Sequence, residues 1–300
     1  MNFRNIDQIN NSFRIFRDDL YPFLGGGNKG RKIVSIIDYM KRNGYNAIVS
    51  TGGIQSNHNR ATAIAAALNR WPCSLVIHGE KERSEREYGN AMIVKESGAK
   101  LVFVDSPSEI GAAMDKEMSI YKEAGLNPYY LTGGGHVMPG GLAYINAIGE
   151  LNNYCQEQNW CPDYIFHASG TGSTQAGILA GLDKYGLNST KVIGISVARE
   201  RERAQSVVAS FYRELCDHYK IKSCQKEVIV LDDYLCGGYE KYNSELKELS
   251  ISAIKDYGFI LDTTYSGKAF YGMLKTIERN NLKDKNILFW HTGGIFNFLA

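Results

Sequence analysis

The chain of 300 residues is long enough for one large or two medium-sized domains with a substantial buried core. Its formal net charge of +2, from 34 basic and 32 acidic residues, excludes a strongly basic nucleic-acid-binding surface. No apolar run approaches the roughly 18 residues that a membrane span requires, and residues 1–7 lack the apolar segment of a secretory signal. The composition therefore predicts a soluble cytoplasmic protein that acts on neither nucleic acid nor membrane.

The cysteines show no pattern of a metal site or of a redox motif. There is no Cys-x-x-Cys pair, and no spacing to a histidine resembles that of a zinc site. We interpret all six as free thiols in a reducing compartment and predict no bound metal. They are Cys73, Cys155, Cys161, Cys216, Cys224 and Cys236.

Apolar segments typical of strands alternate with segments typical of helices along the chain. The predicted strands are residues 13–20, 46–50, 74–78, 100–104, 128–131, 163–168, 192–196, 228–231 and 287–291. The predicted helices are residues 33–40, 60–68, 86–97, 107–125, 142–158, 176–184, 199–219, 244–256 and 267–279. This alternation predicts an α/β protein with mostly parallel sheets that are covered by helices on both faces.

Glycine-rich polar turns follow four of the predicted strands. They begin at Thr51, Gly133, Ser169 and Thr292. Because ligands of such sheets bind beyond the carboxyl ends of the parallel strands, we expect these turns to converge on one cleft.

Residues 25–33, Gly-Gly-Gly-Asn-Lys-Gly-Arg-Lys-Ile, run directly into a predicted helix. A lysine at this point, Lys29, would lie near a helix N-terminus among other cations and partly out of water. Both influences lower the pKa of an amine and free its lone pair to attack a carbonyl, as a Schiff-base lysine requires. A solvated basic cluster is an equally good interpretation of this stretch alone. A phosphate-binding P-loop is disfavoured, because its lysine spacing is absent.

Residues 169–174, Ser-Gly-Thr-Gly-Ser-Thr, open another predicted helix and form a candidate anion site. Backbone N–H groups and hydroxyls would meet there at the positive end of the helix dipole. The stretch lacks both the Walker lysine and the full dinucleotide fingerprint. A tightly turned helix start without a ligand is therefore the alternative.

Two further stretches carry polar side chains suited to a pocket. Residues 51–58 offer the hydroxyl of Ser56 and the amide of Asn57. In residues 263–268, Tyr265 directly precedes Ser266 at a helix start, and Tyr239 follows a glycine pair upstream. Taken alone, each pattern is also typical of packed or helix-capping side chains.

In combination, four blocks resemble the group of pyridoxal-phosphate enzymes that contains 1-aminocyclopropane-1-carboxylate deaminase and D-cysteine desulfhydrase. The blocks are, in order, Gly-Gly-Asn-Lys-x-Arg-Lys, Gly-Gly-Ile-Gln-Ser-Asn-His, Thr-Gly-Ser-Thr-Gln-Ala-Gly and Tyr-Ser-Gly-Lys-Ala. The resemblance extends from about residue 13 to residue 294. It implies the tryptophan-synthase β-like fold (fold type II), with two open, mostly parallel α/β domains and the cofactor in the cleft between them.

The resemblance also implies a role for individual residues. Lys29 would bind pyridoxal 5′-phosphate as a Schiff base, and Asn57 would hydrogen-bond the 3′-oxygen of the cofactor. Ser56 would lie near the substrate carboxylate or Cα, and Tyr239 and Tyr265 near the reacting carbons. The residues implied to hold the cofactor phosphate are Gly170, Thr171, Gly172, Ser173 and Thr174.

Ser266 departs from the deaminase pattern, in which a glutamate at this place faces the pyridine nitrogen. A serine cannot hold that nitrogen protonated as a carboxylate can, so ring opening is disfavoured relative to β-elimination. The leading prediction is a lyase that removes a β leaving group from a small amino acid such as D-cysteine, giving a 2-oxo acid and ammonia. The alternatives are 1-aminocyclopropane-1-carboxylate deaminase, a β-replacement amino-acid synthase and a binding protein without cofactor.

The family architecture further implies how the chain is divided. Residues 1–42 and 142–300 would form a large cofactor-binding domain, and residues 43–141 a small domain. A homodimer is also implied. Residues 133–139 differ from the patterns of both named enzymes, and we expect this segment to shape the substrate pocket.

Overall fold

The computed structural model describes residues 5–79 and 88–300. Residues 1–4 of the segment searched for a signal, and the first two residues of the predicted helix 86–97, lie outside these ranges. Among the described residues, the strands are β1 (Ile6–Gln8), β2 (Phe13–Arg17), β3 (Ala47–Gly52), β4 (Cys73–His78), β5 (Lys100–Val104), β6 (Pro128–Leu131), β7 (Tyr164–Ser169), β8 (Lys191–Ser196), β9 (Ile229–Leu231) and β10 (Ile287–His291).

The helices in the described ranges vary from a single turn to more than five turns. They are α1 (Gly27–Arg42), α2 (Asn57–Asn69), α3 (Gly89–Glu96), α4 (Ile110–Glu123), α5 (Met138–Gln158), α6 (Ser173–Tyr185), α7 (Arg201–Tyr219), α8 (Ser244–Tyr257), α9 (Ser266–Arg279) and α10 (Ile295–Phe298). None of the helices described has the length and apolar content of a membrane span. All six cysteines are free thiols.

The chain is divided into two compact units. The first contains the described residues up to Asn28 together with Gly141–Ile295. The second contains the described part of Lys29–Gly140 together with Phe296–Ala300. The domain boundaries expected from the sequence stay a prediction. The compact units differ from them chiefly in α1, most of which is grouped with the second unit.

The first unit is built on a sheet with the spatial order β1-β2-β10-β7-β8-β9. β1 runs antiparallel to β2, and the remaining neighbours are parallel. All five residues of β10 are buried, as expected of a strand in the middle of a parallel sheet. Aromatic contacts link this strand to α9, where the rings of Phe270 and Phe289 lie 5.0 Å apart.

The second unit is built on a four-stranded sheet with the order β5-β4-β3-β6, and all of its strands are parallel. Its core includes Val49 and Val76 from adjacent strands and Met114 from α4. Two sheets of this kind, alternating with helices, confirm the predicted α/β class.

Most predicted elements are confirmed, and three of the predicted strands have the observed bounds: 100–104, 128–131 and 287–291. The predicted strand 13–20 is wrong in its last three residues, which form a short 3₁₀ helix. β1 and α10 were not expected from the sequence. The helices α2, α5 and α6 begin three or four residues earlier than predicted, because their first turns are polar or glycine-rich and lack apolar periodicity.

The glycines before α1 are required by contacts with the chain's own backbone. Gly26 and Gly27 have φ values of +51° and +80°. A Cβ on Gly26 would lie 2.2 Å from the carbonyl oxygen of Asp19, and one on Gly27 would lie 2.8 Å from that of Thr292. A side chain at either position would therefore clash and would also strain the left-handed backbone.

A buried carboxylate ties three elements of the first unit together. Asp18 is fully buried, and its Oδ2 accepts hydrogen bonds from the Tyr144 hydroxyl of α5 and from Trp290 Nε1 of β10, at 2.5 and 2.8 Å. The ring of Phe16 stacks on Trp290 with centroids 3.9 Å apart. These contacts join the end of β2 to α5 and β10 within the first unit.

We expect Asp18→Ala to lower the free energy of unfolding of the first unit by about 3 kcal/mol, since each buried donor deprived of its acceptor costs about 1–3 kcal/mol. Asp18→Asn is the matched control, because an amide oxygen at Oδ2 can still accept both hydrogen bonds. Urea unfolding followed by tryptophan fluorescence would measure both variants. Equal losses in the two variants would contradict the role of these hydrogen bonds.

Candidate active site

Lys29 is the third residue of α1 and belongs to the second unit. Its Nζ donates a hydrogen bond to the carbonyl oxygen of Gly134 at 2.9 Å. Burial lowers the pKa of the Lys29 amine to about 8. A lysine with this pKa is neutral in a large fraction of molecules at slightly alkaline pH, so its lone pair is available for attack on a carbonyl.

Two further polar groups surround this amine within the second unit. Lys32 Nζ lies 3.4 Å from the same carbonyl oxygen of Gly134. Burial, followed by the charges of Lys29 and Lys32, lowers the pKa of His58 well below its usual value. His58 is therefore neutral, and it adds no third positive charge beside the two amines.

The tautomer of His58 follows from its hydrogen bonds. The Ser50 hydroxyl donates its proton to the carbonyl oxygen of Leu131 at 2.8 Å. Ser50 Oγ must therefore accept the hydrogen bond of 2.8 Å that links it to His58 Nε2. Nε2 carries the proton in the neutral ring.

The turn after β3 holds the two other predicted residues of the second unit. Ser56 is the N-cap of α2, and its Oγ accepts hydrogen bonds from the backbone N–H groups of His58 and Asn59, both at 3.2 Å. Asn57 is the first residue of that helix, and its side-chain amide is hydrogen-bonded to Asn297 and Asn90. The turn is thus held in shape by the Ser56 cap and by side chains from two distant parts of the second unit.

The predicted anion site lies at the start of α6 in the first unit. Gly172 is the N-cap in the left-handed conformation, with φ +89°, and as a glycine it has no side chain that could cap the first turn. Arg199 Nη1 donates to the carbonyl oxygen of Gly170 at 2.5 Å and fixes the turn from outside. Thr174 Oγ1 accepts from Asn28 Nδ2 at 3.2 Å, so the Thr174 hydroxyl keeps its own proton as a donor.

The two predicted tyrosines are in direct contact in the first unit. The hydroxyl groups of Tyr239 and Tyr265 are hydrogen-bonded to each other, and their rings are 5.9 Å apart in an edge-to-face arrangement. Burial raises the pKa of Tyr239 to about 12 and that of Tyr265 well above its usual value. Both phenols therefore stay protonated near neutral pH and act as hydrogen-bond donors rather than bases.

Lys268 and Asp262 hold the backbone next to the two tyrosines in place. Lys268 Nζ donates to the carbonyl oxygen of Gly238 at 2.6 Å and so anchors the residue before Tyr239. The Asp262 carboxylate accepts from the backbone N–H groups of Tyr265 and Ser266 at 2.8 and 2.9 Å. It also accepts from the Ser266 hydroxyl at 2.7 Å. Burial raises the pKa of Asp262, while these hydrogen bonds oppose the rise.

The predicted site residues thus fall into two sets. Lys29, Ser56 and Asn57 belong to the second unit. The set in the first unit comprises Gly170, Thr171, Gly172, Ser173, Thr174, Tyr239, Tyr265 and Ser266. Within the first unit, the structure brings the two tyrosines together and ties Ser266 to the loop that carries Tyr265.

Sequence reasoning did not identify four residues that support these sets: His58, Gly134, Arg199 and Asp262. His58 and Gly134 lie in glycine-rich turns that the sequence marks as candidates. Asp262, four residues before Ser266, follows a spacing at which a carboxylate caps backbone N–H groups. Arg199 gives no comparable signal, because its contact with Gly170 depends on the pairing of β7 with β8.

The sequence profile of the family described as "Pyridoxal-phosphate dependent enzyme" matches residues 6–293. The D-cysteine desulfhydrase of Yersinia enterocolitica is 30% identical over 293 residues, covering 96% of this chain and 88% of the relative. The D-cysteine desulfhydrase of Klebsiella pneumoniae is 28% identical over 296 residues, with the same coverage of 96% and 88%.

Solved structures are similar over a comparable extent. The crystal structure of an ACC deaminase homologue matches with a TM-score of 0.86 and 30% identity, covering 96% of this chain and 86% of the other. A hydrogen sulfide-producing enzyme from Fusobacterium nucleatum matches with a TM-score of 0.66 and 15% identity, covering 97% and 92%. The second similarity concerns the fold alone.

The lowered pKa of Lys29 makes a direct prediction for the cofactor-free protein. Acetylation of Lys29 by acetic anhydride, followed by mass spectrometry, should increase with pH around a midpoint of about 8, because only the neutral amine reacts. A lysine in an unstructured peptide, with a midpoint of about 10.4, is the internal control. A midpoint for Lys29 equal to that of the peptide would contradict the effect of burial.

The same shift also sets the sign of a stability effect. The unfolded chain binds the Lys29 proton more tightly than the folded chain does. Lys29 therefore lowers the free energy of unfolding by its full amount below about pH 8, by less as the pH rises from about 8 to 10.5, and not at all above pH 10.5.

Proposed function

The chain belongs to the pyridoxal-phosphate dependent enzyme family, and we propose that it is a lyase that eliminates sulfide from D-cysteine. Its cofactor is pyridoxal 5′-phosphate and its fold is the α/β fold type II, as the resemblance predicts. The balanced reaction converts D-cysteine and water into pyruvate, ammonia and hydrogen sulfide. The observation that carries the proposal is the partly buried Lys29, whose Nζ donates to the Gly134 carbonyl and whose pKa is lowered to about 8, in a chain whose D-cysteine desulfhydrase relatives match 96% of its length.

The residues present fit a phosphorylated aldehyde. The N-cap of α6 is a glycine in the left-handed conformation, which has no side chain to compete with a ligand for the N–H groups of the first turn. A Cβ at Gly170 would meet only a methyl group of Val197, 3.7 Å away, so the backbone there is open to a ligand. We propose that the phosphate is bound by the residues Gly170, Thr171, Gly172, Ser173 and Thr174.

Pyridoxal phosphate, when bound, supplies the electron sink for the carbanion formed at the substrate Cα. We propose that Lys29 Nζ would hold the cofactor and that the same amine would take the proton from the substrate Cα. The pKa of about 8 suits both tasks, because a useful fraction of the amine is neutral near neutral pH. The carbonyl oxygen of Gly134 accepts a hydrogen bond from the amine and orients it. Unlike a carboxylate, it does not neutralise the charge of the protonated amine.

The tyrosine pair suits the departure of sulfur from Cβ. Tyr239 and Tyr265 both stay protonated at neutral pH, since burial raises the pKa of each phenol. One hydroxyl donates to the other, so one proton of the pair remains for a group outside it. We propose that this proton stabilises the departing sulfur, and that Ser56 binds the substrate carboxylate.

Ring opening of 1-aminocyclopropane-1-carboxylate is the second candidate activity. The structural similarity to an ACC deaminase homologue and the paired phenols favour it. Ser266 disfavours it, because a neutral hydroxyl next to the pyridine nitrogen would give a weaker electron sink than a carboxylate. β-Replacement with a second substrate is the third.

Three further expectations, on domain division, oligomeric state and cellular location, complete the proposal. We propose that the chain consists of a large cofactor-binding domain and a small domain divided near residues 42 and 141, that the enzyme is a homodimer, and that it works in the cytoplasm. The six free thiols suit a reducing compartment.

Release of 2-oxo acid from a panel of small amino acids tests the reaction. The panel comprises D- and L-cysteine, D- and L-serine, β-chloroalanine and 1-aminocyclopropane-1-carboxylate. We expect D-cysteine to give pyruvate and sulfide in equal amounts, as the balanced reaction requires. Lactate dehydrogenase would measure the pyruvate, and methylene blue formation the sulfide.

Each other outcome of the panel excludes the proposal in a different way. 2-Oxobutanoate from the cyclopropane acid, without pyruvate from D-cysteine, would establish ring opening. Pyruvate from L-cysteine but not from D-cysteine would show that the enzyme acts on the opposite enantiomer. No product until a second nucleophilic substrate is added would establish β-replacement.

Lys29→Ala should lose the visible absorbance of the covalently bound cofactor and at least about 10³-fold of kcat/KM, because a general base alone contributes about 10²–10⁴-fold. Lys41→Ala is the matched control: it removes an exposed lysine from the last turn of the same helix. Absorbance spectra and the pyruvate assay on both variants decide the point. Unchanged turnover in Lys29→Ala would overturn the assignment of the cofactor lysine.

A further inference from the structure

Residues 296–300, here called the Asn297 segment, belong to the second unit although β10 before them belongs to the first. The segment packs against the turn that carries Asn57. The guanidinium of Arg60 lies over the ring of Phe296, 5.3 Å from its centroid. A Cβ on Gly89 would lie 2.9 Å from the Ala300 side chain, so the start of α3 also contacts the segment closely.

The orientation of the Asn297 amide is fixed by a backbone carbonyl. Asn297 Nδ2 donates to the carbonyl oxygen of Gln55 at 3.0 Å. Because a carbonyl can only accept, the amide nitrogen must lie on that side, and Oδ1 lies on the other. Oδ1 then accepts from Asn57 Nδ2 at 2.5 Å and from Asn90 Nδ2 at 3.2 Å.

The orientation of the Asn57 amide follows from that of Asn297. One N–H of Asn57 Nδ2 points to Asn297 Oδ1. Asn57 Oδ1 accepts from Asn90 Nδ2 at 3.1 Å. Asn90 is fully buried, and its Nδ2 also lies 3.0 Å from the carbonyl oxygen of Gln55. Its two hydrogens therefore serve three acceptors, one of them shared between two oxygens. A rotation of the Asn57 amide by 180° would therefore set oxygen against oxygen and nitrogen against nitrogen.

This arrangement leaves Asn57 with a defined donor. An amide nitrogen carries two hydrogens, and among the described residues one is used by Asn297. Gln55 closes the cluster from the other side, because its Oε1 accepts from the backbone N–H of Asn90 at 2.8 Å. Asn297 binds the nitrogen of the Asn57 amide and Asn90 binds its oxygen, so the direction of the second N–H is fixed.

We propose that Asn297 is a positioning residue for the cofactor, acting through Asn57. It holds the Asn57 amide so that the second N–H is presented to the ring oxygen of pyridoxal phosphate, while Asn90 holds the amide oxygen away from it. The inference rests on the proposed role of Asn57 in cofactor binding. Asn297 itself contacts no reacting atom.

A double-mutant cycle on cofactor affinity tests the inference. Pyridoxal 5′-phosphate is titrated into the cofactor-free forms of wild type, Asn297→Ala, Asn57→Ala and the double variant, with absorbance and quenching of tryptophan fluorescence as readouts. We expect Asn297→Ala to weaken binding about 10-fold, the lower end of the roughly 10–100-fold loss of affinity found when a residue that orients a metal ligand is removed. In the Asn57→Ala background the same change should weaken binding less than about 2-fold, because coupled residues do not add.

Leu299→Ala is the matched control, because it shortens an exposed side chain of the same segment without touching the amide cluster. It should bind the cofactor as wild type does. The visible absorbance of the bound cofactor gives a second readout: its pH dependence should shift in Asn297→Ala, since the ring oxygen loses an oriented donor, and should stay unshifted in Leu299→Ala.

Equal weakening by Asn297→Ala in both backgrounds would mean that Asn297 merely stabilises the unit, and would overturn the inference. So would an effect of Leu299→Ala as large as that of Asn297→Ala. Because affinity rather than turnover is measured, a wild-type enzyme that binds the cofactor but leaves D-cysteine intact would overturn only the proposed reaction.

Discussion

The close approach of two glycines to backbone carbonyls is the constraint on which the placement of Lys29 depends. Gly26 and Gly27 face the carbonyl oxygens of Asp19 and Thr292 at distances that admit no Cβ. Helix α1 starts at this point, with the Asn28 N–H donating to the carbonyl oxygen of Thr292 at 2.9 Å. Lys29 follows in the first turn of this helix. The backbone contacts of residues 26–28 therefore determine where along the chain the helix that carries the amine begins.

Burial acts on the titratable groups of the candidate site in one direction, towards their neutral forms. It lowers the pKa of Lys29 and His58 and raises that of Tyr239 and Tyr265. The amine can therefore accept a proton, and the phenols stay protonated and can donate hydrogen bonds. At the start of α6 the positive end of the helix dipole and the Arg199 guanidinium, which donates to the Gly170 carbonyl, both favour a negative charge.

The sequence predicts those features of the structure that neighbouring residues determine, and it fails for those that depend on contacts between distant parts of the chain. Strands such as 100–104 are apolar runs bounded by turn residues, so local sequence determines their limits. The starts of α2 and α6 are harder to predict, because polar residues in a first turn carry no helical periodicity, and Asn57 and Ser173 therefore lie inside helices. The stretch around Lys29 and the glycine-rich turn that begins at Ser169 were recognisable as motifs. The hydrogen bond between Asn57 and Asn297 was not, because 240 positions separate its partners and only the tertiary fold brings them together.

The pairing of β2 with β10 has a consequence for the nascent chain on the ribosome. Phe13 lies opposite Ile287, so β2 emerges long before its parallel neighbour exists. At synthesis rates of about 5–20 residues per second, the delay is roughly 15–50 s. The strands β3 to β6 are complete by Leu131, so the sheet of the second unit can form earlier. β10 also separates β2 from β7, and until it arrives both expose unpaired edges that favour association with other chains. A ribosome stalled before β10 would therefore leave a chain that depends on chaperones, with one sheet formed and the other open at its centre.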